Sequence, residues 1–393
     1  MPLKVLLVHN RYQLPGGEDI AFNSEGDILR QRGLEVITYT DDNRVLTNRL
    51  PLKSAIETIW SSRTYRILRK LIRGTCPDVV HFHNTFLRIS PSAYYACKAE
   101  KVPVIQTLHN YRLLCPSANF FRNNQICELC LGKKVPLPGI RYACYRNSRS
   151  QTAVITTMLA VHNWIKTYLE TVHTYITPTN FSRQKFIEGG FPESKIIVKP
   201  HFLFPDPGIK TRLGEYALFV GRLSPEKGIS CLLESWEKII NIPLHIIGDG
   251  PMASDVAKHA ENYPNIKWLG ALSRDQVLDH MKNAKILVFP SICYEVFGFV
   301  IIEAFSVGVP VIASNVGSMM SMVENNRNGL HFKIGDATDL ARCVDWAFGH
   351  PDEITQMGLI ARQDYVNKYN GDANSKMLIQ IYENTIVNNK ALE

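Results

Sequence analysis

The chain has 393 residues, 45% of them hydrophobic and 20% charged, which leaves room for two packed domains and excludes a disordered or low-complexity protein. Its net charge of +8 is unevenly placed: residues 1–200 hold 27 Lys and Arg against 14 Asp and Glu, and residues 201–393 hold 17 against 22. A basic first half suits an anionic partner such as a membrane surface, a phosphorylated substrate or nucleic acid, or else a Lys-rich surface with no partner, and charge alone does not separate these.

The opening run MPLKVLLVHN enters a strand directly, without the charged start, apolar core and cleavage site of a signal peptide. No window reaches the roughly 18 apolar residues of a membrane span, so a cytoplasmic protein is expected. Short β-rich runs then alternate with amphipathic helical stretches, the pattern of parallel sheets covered by helices. A first series comprises KVLLVHN, LEVITYT, DVVHFHN, VPVIQTLH, TYITPT and KIIVKP; a second comprises YALFVGRL, PLHIIGDG, IKWLGAL, KILVFPS, VPVIAS and GLHFKIG. The expected fold is α/β with two doubly wound, Rossmann-like domains at 1–199 and 209–369. The segment PHFLFPDPG at 200–208 is the expected hinge, and the C-terminal ends of both sheets are expected to meet at a cleft. Closure around a ligand through that hinge would appear as compaction in small-angle scattering.

Gly16-Gly17 follows the first strand and precedes a helical run, leaving no side chain between the backbone and a phosphate or sugar; a plain tight turn is the alternative. Pro51 to Gly74 reads as one basic amphipathic helix, with Ile56, Ile59, Trp60, Ile67, Leu68, Leu71 and Ile72 on one side and six cations against Glu57. It suits an anionic bilayer surface, and equally an apolar stripe packed on the first sheet. His81 and His83, near a strand end, are expected to hydrogen-bond rather than catalyse. Cys115, Cys127, Cys130 and Cys144 are spaced for a four-thiolate structural zinc site, with reduced, unliganded thiols as the alternative.

In the second half, GRLSPEKG at 221–228 places Arg222 and Lys227 on a loop at a strand's C-terminal end, a fork-like and a point-like cation suited to a diphosphate. It lacks the P-loop pattern. Gly248 and Gly250 form another tight loop beside it. YEVFGFVIIEAF then carries Glu295 just ahead of a helix expected to start at Gly298 and run through Val307, and Glu303 in its second turn. Eight residues at helical rise span about 12 Å, and backbone N–H groups from Phe297, Gly298, Phe299 and Val300 to Ile301 would meet a diphosphate. Two acids in so apolar a run need partners, and hydroxyls at either end of a nucleotide sugar would serve.

GRLSPEKG, GDGP and EVFGFVIIE look like the donor-binding half of the family 4 retaining glycosyltransferases of the GT-B fold. PGGED, DVVHFHNTF and TLHNYRLLCP are similar to that family's N-terminal half. The resemblance implies that Arg222 and Lys227 bind the diphosphate, that Glu295 meets the donor sugar and Glu303 the ribose, that Gly16-Gly17 closes over the donor, and that His109 stands beside the acceptor. It also implies a C-terminal tail, about 370–393, packed back on the first domain. Ser318 and Ser321 depart from the family's Gly-Gly-x-x-Glu loop, at its second glycine and its acid. The implied activity is metal-independent transfer of a sugar, with retention, from a nucleotide-diphosphate sugar to a hydroxyl of a glycan or lipid-linked acceptor in cell-surface polysaccharide synthesis, with a soluble small-molecule or sugar acceptor as the alternative, and without nucleic acid. A noncatalytic sugar-binding protein would explain the basic half but not the diphosphate constellation in the other.

Overall fold

The computed structural model describes residues 2–12, 16–44 and 51–391, and Gln13, Leu14 and Pro15 of the first glycine turn lie outside them. The chain divides into two compact units. The first comprises 1–120, 127–201 and 372–393, and the second Phe202–Gly371 with the segment Phe121–Ile126.

In the first unit, β1 (Lys4–Arg11), β2 (Glu35–Asp42), β3 (Val79–Asn84) and β4 (Val104–Thr107) belong to one sheet. A hairpin of β5 (Phe121–Arg122) and β6 (Gln125–Ile126) interrupts the chain before β7 (Thr174–Thr177) and β8 (Ile196–Val198) complete that sheet. Its order is β2-β1-β3-β4-β7-β8, all pairs parallel. Every residue of β3 and β4 is buried, as expected of strands covered by helices on both faces. The C-terminal helix Gly371–Lys390 belongs to this unit. Tyr382 OH meets His81 Nδ1 at 2.8 Å, and the hydroxyls of Thr385 and Thr174 lie 2.8 Å apart.

The second unit carries β9 (Tyr216–Val220), β10 (Leu244–Ile247), β11 (Ile266–Trp268), β12 (Ala284–Phe289), β13 (Val311–Ser314) and β14 (Gly329–Phe332), again all parallel, in the order β11-β10-β9-β12-β13-β14. Its core lies on both faces of the sheet. Trp236, Leu232 and Val344 pack with Ile246 and Val288 on one side, and Ile301, Phe305 and Tyr365 with Leu218 and Leu287 on the other.

The single basic helix expected over Pro51–Gly74 is two helices, Pro51–Ile59 and Ser62–Thr75. Ser61 ends one and caps the other, its hydroxyl accepting from Thr64 N. The second buries Thr64, Leu68 and Ile72, while Arg69 and Arg73 both bond Glu100 and Arg63 bonds Asp41. Its apolar stripe is therefore spent on packing, and three of its cations already have acids.

Candidate functional site

The second sheet reverses its strand order between β9 and β12, the place where doubly wound sheets hold ligands beyond their C-terminal edge. The loop leaving β9, Gly221 to Gly228, is fixed by backbone bonds: Gly221 N donates to Ile247 O at 3.0 Å and Leu223 N to Asp249 O at 2.9 Å. Ile292 N donates to Glu226 O at 2.9 Å, tying this loop to the one that leaves β12. Close approach demands glycine at two points. A Cβ at Gly228, where φ is +73°, would sit 1.9 Å from the Pro290 carbonyl oxygen, and one at Gly248 would sit 1.9 Å from that of Gly221. Gly250 follows in the same tight loop.

The two loops bring Lys227 and Glu295 together. Lys227 Nζ donates to Glu295 Oε1 at 2.6 Å, and Ser291 Oγ donates to the same oxygen at 2.8 Å. Burial alone would lower the Lys227 ammonium, but Glu295 beside it outweighs that and holds it above the usual lysine range. Arg222 is exposed, and among the described residues no carboxylate pairs with it. The site thus presents one compensated and one uncompensated cation.

The helix after the β12 loop runs Phe299–Ser306 behind the N-cap Gly298, one residue later at its start and one earlier at its end than the sequence suggests. Phe297 and Phe299 meet edge to face, with ring centroids 5.4 Å apart, and Val300 follows in the first turn. Glu303 lies on the second turn and is only 8% exposed. Among the described residues nothing donates a hydrogen bond to its carboxyl. Burial, only partly offset by Arg274, pushes it up to about 7. Ser318, where the family pattern has glycine, is buried and donates to the Val296 carbonyl at 3.3 Å, while Ser321 donates to the Ser318 carbonyl at 3.0 Å. Ser318 thus supports the Glu295 loop at Val296, while Ser321 bonds within its own turn.

The first unit gathers a second cluster at the C-terminal edge of β1, β3 and β4. His83 Nδ1 meets His109 Nε2 at 3.0 Å, and His109 stacks on His201 with centroids 4.9 Å apart. Burial, then His201 and His83, hold His109 well below the usual imidazole range, so it is neutral at physiological pH. It lines a cavity of about 40 Å³ with Asn110 and Arg112, room for a water rather than a sugar. Gly16 precedes the helix Gly17–Gln31, and Asp19 Oδ2 accepts from Gly16 N at 3.0 Å while Asp19 Oδ1 meets His9 Nε2 at the same distance. At Gly16 φ is −143°, open to any residue, and a Cβ there would meet nothing within 4 Å. Among the described residues of this unit, nothing requires glycine at that position.

His81 hydrogen-bonds Tyr382 and Thr107, in keeping with the hydrogen-bonding role expected of it and His83. Among the described residues, Glu25, His81 and His83 are the group with metal-ligand spacing. Lys199 Nζ, fully buried, lies 2.9 Å from Glu25 Oε1, so an ammonium already neutralises this carboxylate and a divalent ion would meet a cation at the same place. The four cysteines do not form such a group. Cys115, Cys127 and Cys144 all act on the Cys130 thiol, which burial first and then these neighbours raise to about 12. No three of their sulfurs lie within metal-ligand spacing of one another, and none of the four is in a disulfide.

Two family models cover most of the chain: "Glycosyltransferase Family 4" over residues 27–203 and "Glycosyl transferases group 1" over 210–364. The chain belongs to the GT-B glycosyltransferases. An uncharacterized glycosyltransferase of Methanocaldococcus jannaschii, MJ1607, is 31% identical to it over 175 residues, 42% of this chain and 44% of that one. A phosphatidyl-myo-inositol mannosyltransferase of Mycobacterium leprae is 27% identical over 177 residues, 44% and 47% of the two chains. This glycosyltransferase therefore spans less than half the length of either relative in those matches. In fold it resembles Anabaena Alr3699/HepE, solved with UDP, at a TM-score of 0.68 and 15% identity over 97% of this chain and 100% of that one.

Sequence reasoning passed over several residues that this glycosyltransferase brings to its two clusters. Ser291 shares the Glu295 oxygen, and Asp19 fixes the Gly16 loop. Glu18 accepts from Asn110 and is pushed by burial up to about 7. The acids directly after Gly16-Gly17, at a helix N-terminus, were the signal for two of them; nothing local marks Ser291.

Proposed function

We propose that the protein is a retaining glycosyltransferase that moves a sugar from a nucleotide-diphosphate sugar to a hydroxyl of a lipid-linked glycan in cell-surface polysaccharide synthesis, acting peripherally at the cytoplasmic face of a membrane. The observation that carries the donor half is the Lys227–Glu295 pair beside the uncompensated Arg222 at the switch point of the second sheet. UDP in the Anabaena structure supports a nucleotide at this kind of fold, and the phosphatidyl-inositol acceptor in the mycobacterial relative's name supports a lipid-borne acceptor.

Breaking the bond between the anomeric carbon and the diphosphate leaves negative charge on the departing phosphate. Arg222, Lys227 and the N–H groups of Phe297, Gly298, Phe299 and Val300 stabilise that charge more in the transition state than in the ground state. This positive field needs no metal to supplement it. The acceptor oxygen bonds to the anomeric carbon on the face the diphosphate leaves, and its proton passes to the departing phosphate oxygen. Glu295 takes sugar hydroxyls and Glu303 the ribose. His109, neutral, positions the acceptor, and the Gly16-Gly17 loop, where a Cβ at Gly16 would meet nothing within 4 Å, serves the donor. Incubation with a panel of nucleotide sugars tests the reading: free nucleotide should appear without added inorganic phosphate. Release only with phosphate would indicate a phosphorylase, and no release from any donor a binding protein.

Glu303 gives donor binding a pH dependence with a definite sign. Ribose hydroxyls donate to the ionised carboxylate, so donor affinity rises as pH passes upward through about 7 and levels off above it. Below that point it falls by about tenfold per pH unit. Calorimetric titration across this range should give that slope in the wild type and a flat line for Glu303→Gln; parallel slopes would remove Glu303 from the site.

A further inference from the structure

The helix Arg149–Trp164 buries Thr152, Ile155, Met158, Leu159 and His162 and then stops at a tight corner, where Lys166 takes a left-handed φ of +53° and starts the short helix Thr167–Glu170. His162 locks the corner, its Nδ1 meeting Thr167 Oγ1 and its Nε2 the Ile59 carbonyl, each at 2.8 Å. Held in this way, the corner projects Trp164 into solvent at 84% exposure, with Ile165 and Leu169 also exposed. A second loop lies alongside: Asn163 Nδ2 donates to the Lys134 carbonyl at 3.2 Å, and Val135 and Leu137 are exposed just beyond it.

Charge distinguishes this surface from stray exposed apolar residues. Lys133, Lys134 and Lys166 rim one cavity of about 210 Å³ between the corner and the loop. Among the described residues, no carboxylate pairs with any of the three. The acids nearest in sequence are already taken, Glu128 by Lys185 and Glu170 by Lys98. A rigid tryptophan and aliphatic side chains ringed by uncompensated lysines match the boundary of an anionic bilayer, where indole sits among the headgroups and ammonium groups meet the negative surface potential. Of the helices at 51–75, the sequence's candidate for this role, the second buries Leu68 and Ile72 and pairs Arg63, Arg69 and Arg73 with acids, while the first leaves Ile56 exposed and is followed by the half-exposed Trp60.

We propose that the Trp164 corner, with the loop carrying Lys133 and Lys134, docks this protein on an anionic bilayer. The proposal rests on the reading of a lipid-linked acceptor and places the protein's membrane contact at this corner.

Flotation with vesicles of phosphatidylcholine alone or mixed with phosphatidylglycerol tests it, at low and high salt. The wild type should float with the anionic vesicles and lose them in high salt. The triple variant Lys133→Gln, Lys134→Gln, Lys166→Gln should bind about 10²-fold more weakly, at roughly one order-of-magnitude step or less per lysine. Trp164→Ser with Ile165→Ser should weaken binding at both salt concentrations. Nucleotide release from the donor sugar without membranes should persist in each variant, showing that it is folded. Variants that float as the wild type does would overturn the corner while leaving peripheral membrane binding intact. A wild type that floats on neither vesicle would overturn both the corner and the membrane reading, with donor turnover still standing. Loss of a dimer in the Trp164→Ser, Ile165→Ser variant, seen by light scattering, would assign the surface to a second copy instead and overturn the proposal.

Discussion

Lys227→Ala is expected to lower kcat/KM by about 10²–10³-fold, the range seen when one charge-stabilising donor is removed from a preorganised site. The loss has two sources. The departing phosphate loses an ammonium, and Glu295, which shares a 2.6 Å bond with that ammonium, is left as an uncompensated negative charge beside it. Glu295→Ala removes the sugar contact but leaves Lys227 for the phosphate, so its loss should be smaller than the lysine's and should fall on the sugar rather than on the nucleotide. Because the two side chains touch, the double variant should be less impaired than the product of the single effects. Steady-state kinetics on the three variants checks this, and near-wild-type rates for both single variants would remove the pair from the donor site.

The largest effect on stability is expected in the first unit. Lys199 and Glu25 are buried at 2.9 Å, and Glu25 also lies 3.4 Å from His83 and 3.7 Å from His81. Lys199→Met removes one partner and leaves a buried charge, at a cost of about 3–5 kcal/mol, whereas Glu25→Gln with Lys199→Met should recover much of it. Burial would raise the Glu25 carboxyl, but Lys199 and the two histidines hold it well below its ordinary range. A carboxyl depressed in the fold contributes stability above its unfolded pKa and loses it as pH falls through the folded value. The wild-type unfolding midpoint should therefore fall with acidification through the acid range, and the double variant should lose part of that dependence. Denaturant titration at several pH values reads both effects; a single variant as stable as the wild type would mean that the pair is not the unit's electrostatic centre.

Most strands were legible as short apolar, β-branched runs such as KVLLV, VIQT and KILVF, which a sheet covered on both faces can use, whereas the edge strand EVITYTDD was legible by its alternation. All twelve expected strands occur, in two parallel sheets. The loops were legible for a different reason: GRLSPEKG and YEVFGFVIIEAF put charges and glycines where a strand ends, so Lys227 and Glu295 could be named before their contact was known. The break at Ser61 was harder to see, since the periodicity of apolar residues runs almost unbroken across it and only a capping hydroxyl divides the helices. Long-range partners were not legible at all. Lys199 follows Glu25 by more than a hundred residues, and no local pattern joins a lysine before a proline to an acid within the first helix. The cysteine spacing showed the opposite weakness: it suggested a metal, but spacing along the chain does not fix where sulfurs point. Trp164 was hidden for a similar reason, because a tryptophan at a helix end reads as core in the sequence and only the packing of the helix shows it exposed.

The central claim is that the loop bearing Arg222 and Lys227 binds a nucleoside diphosphate, and calorimetric titration of UDP and GDP into the wild type, Arg222→Ala and Lys227→Ala tests it most directly. The account predicts saturable binding of at least one nucleotide by the wild type and a loss of about tenfold or more in each variant, since a charge-assisted hydrogen bond to phosphate contributes about 1.5–3 kcal/mol. Equal affinity in all three proteins, or no binding of either nucleotide to the wild type, would contradict it.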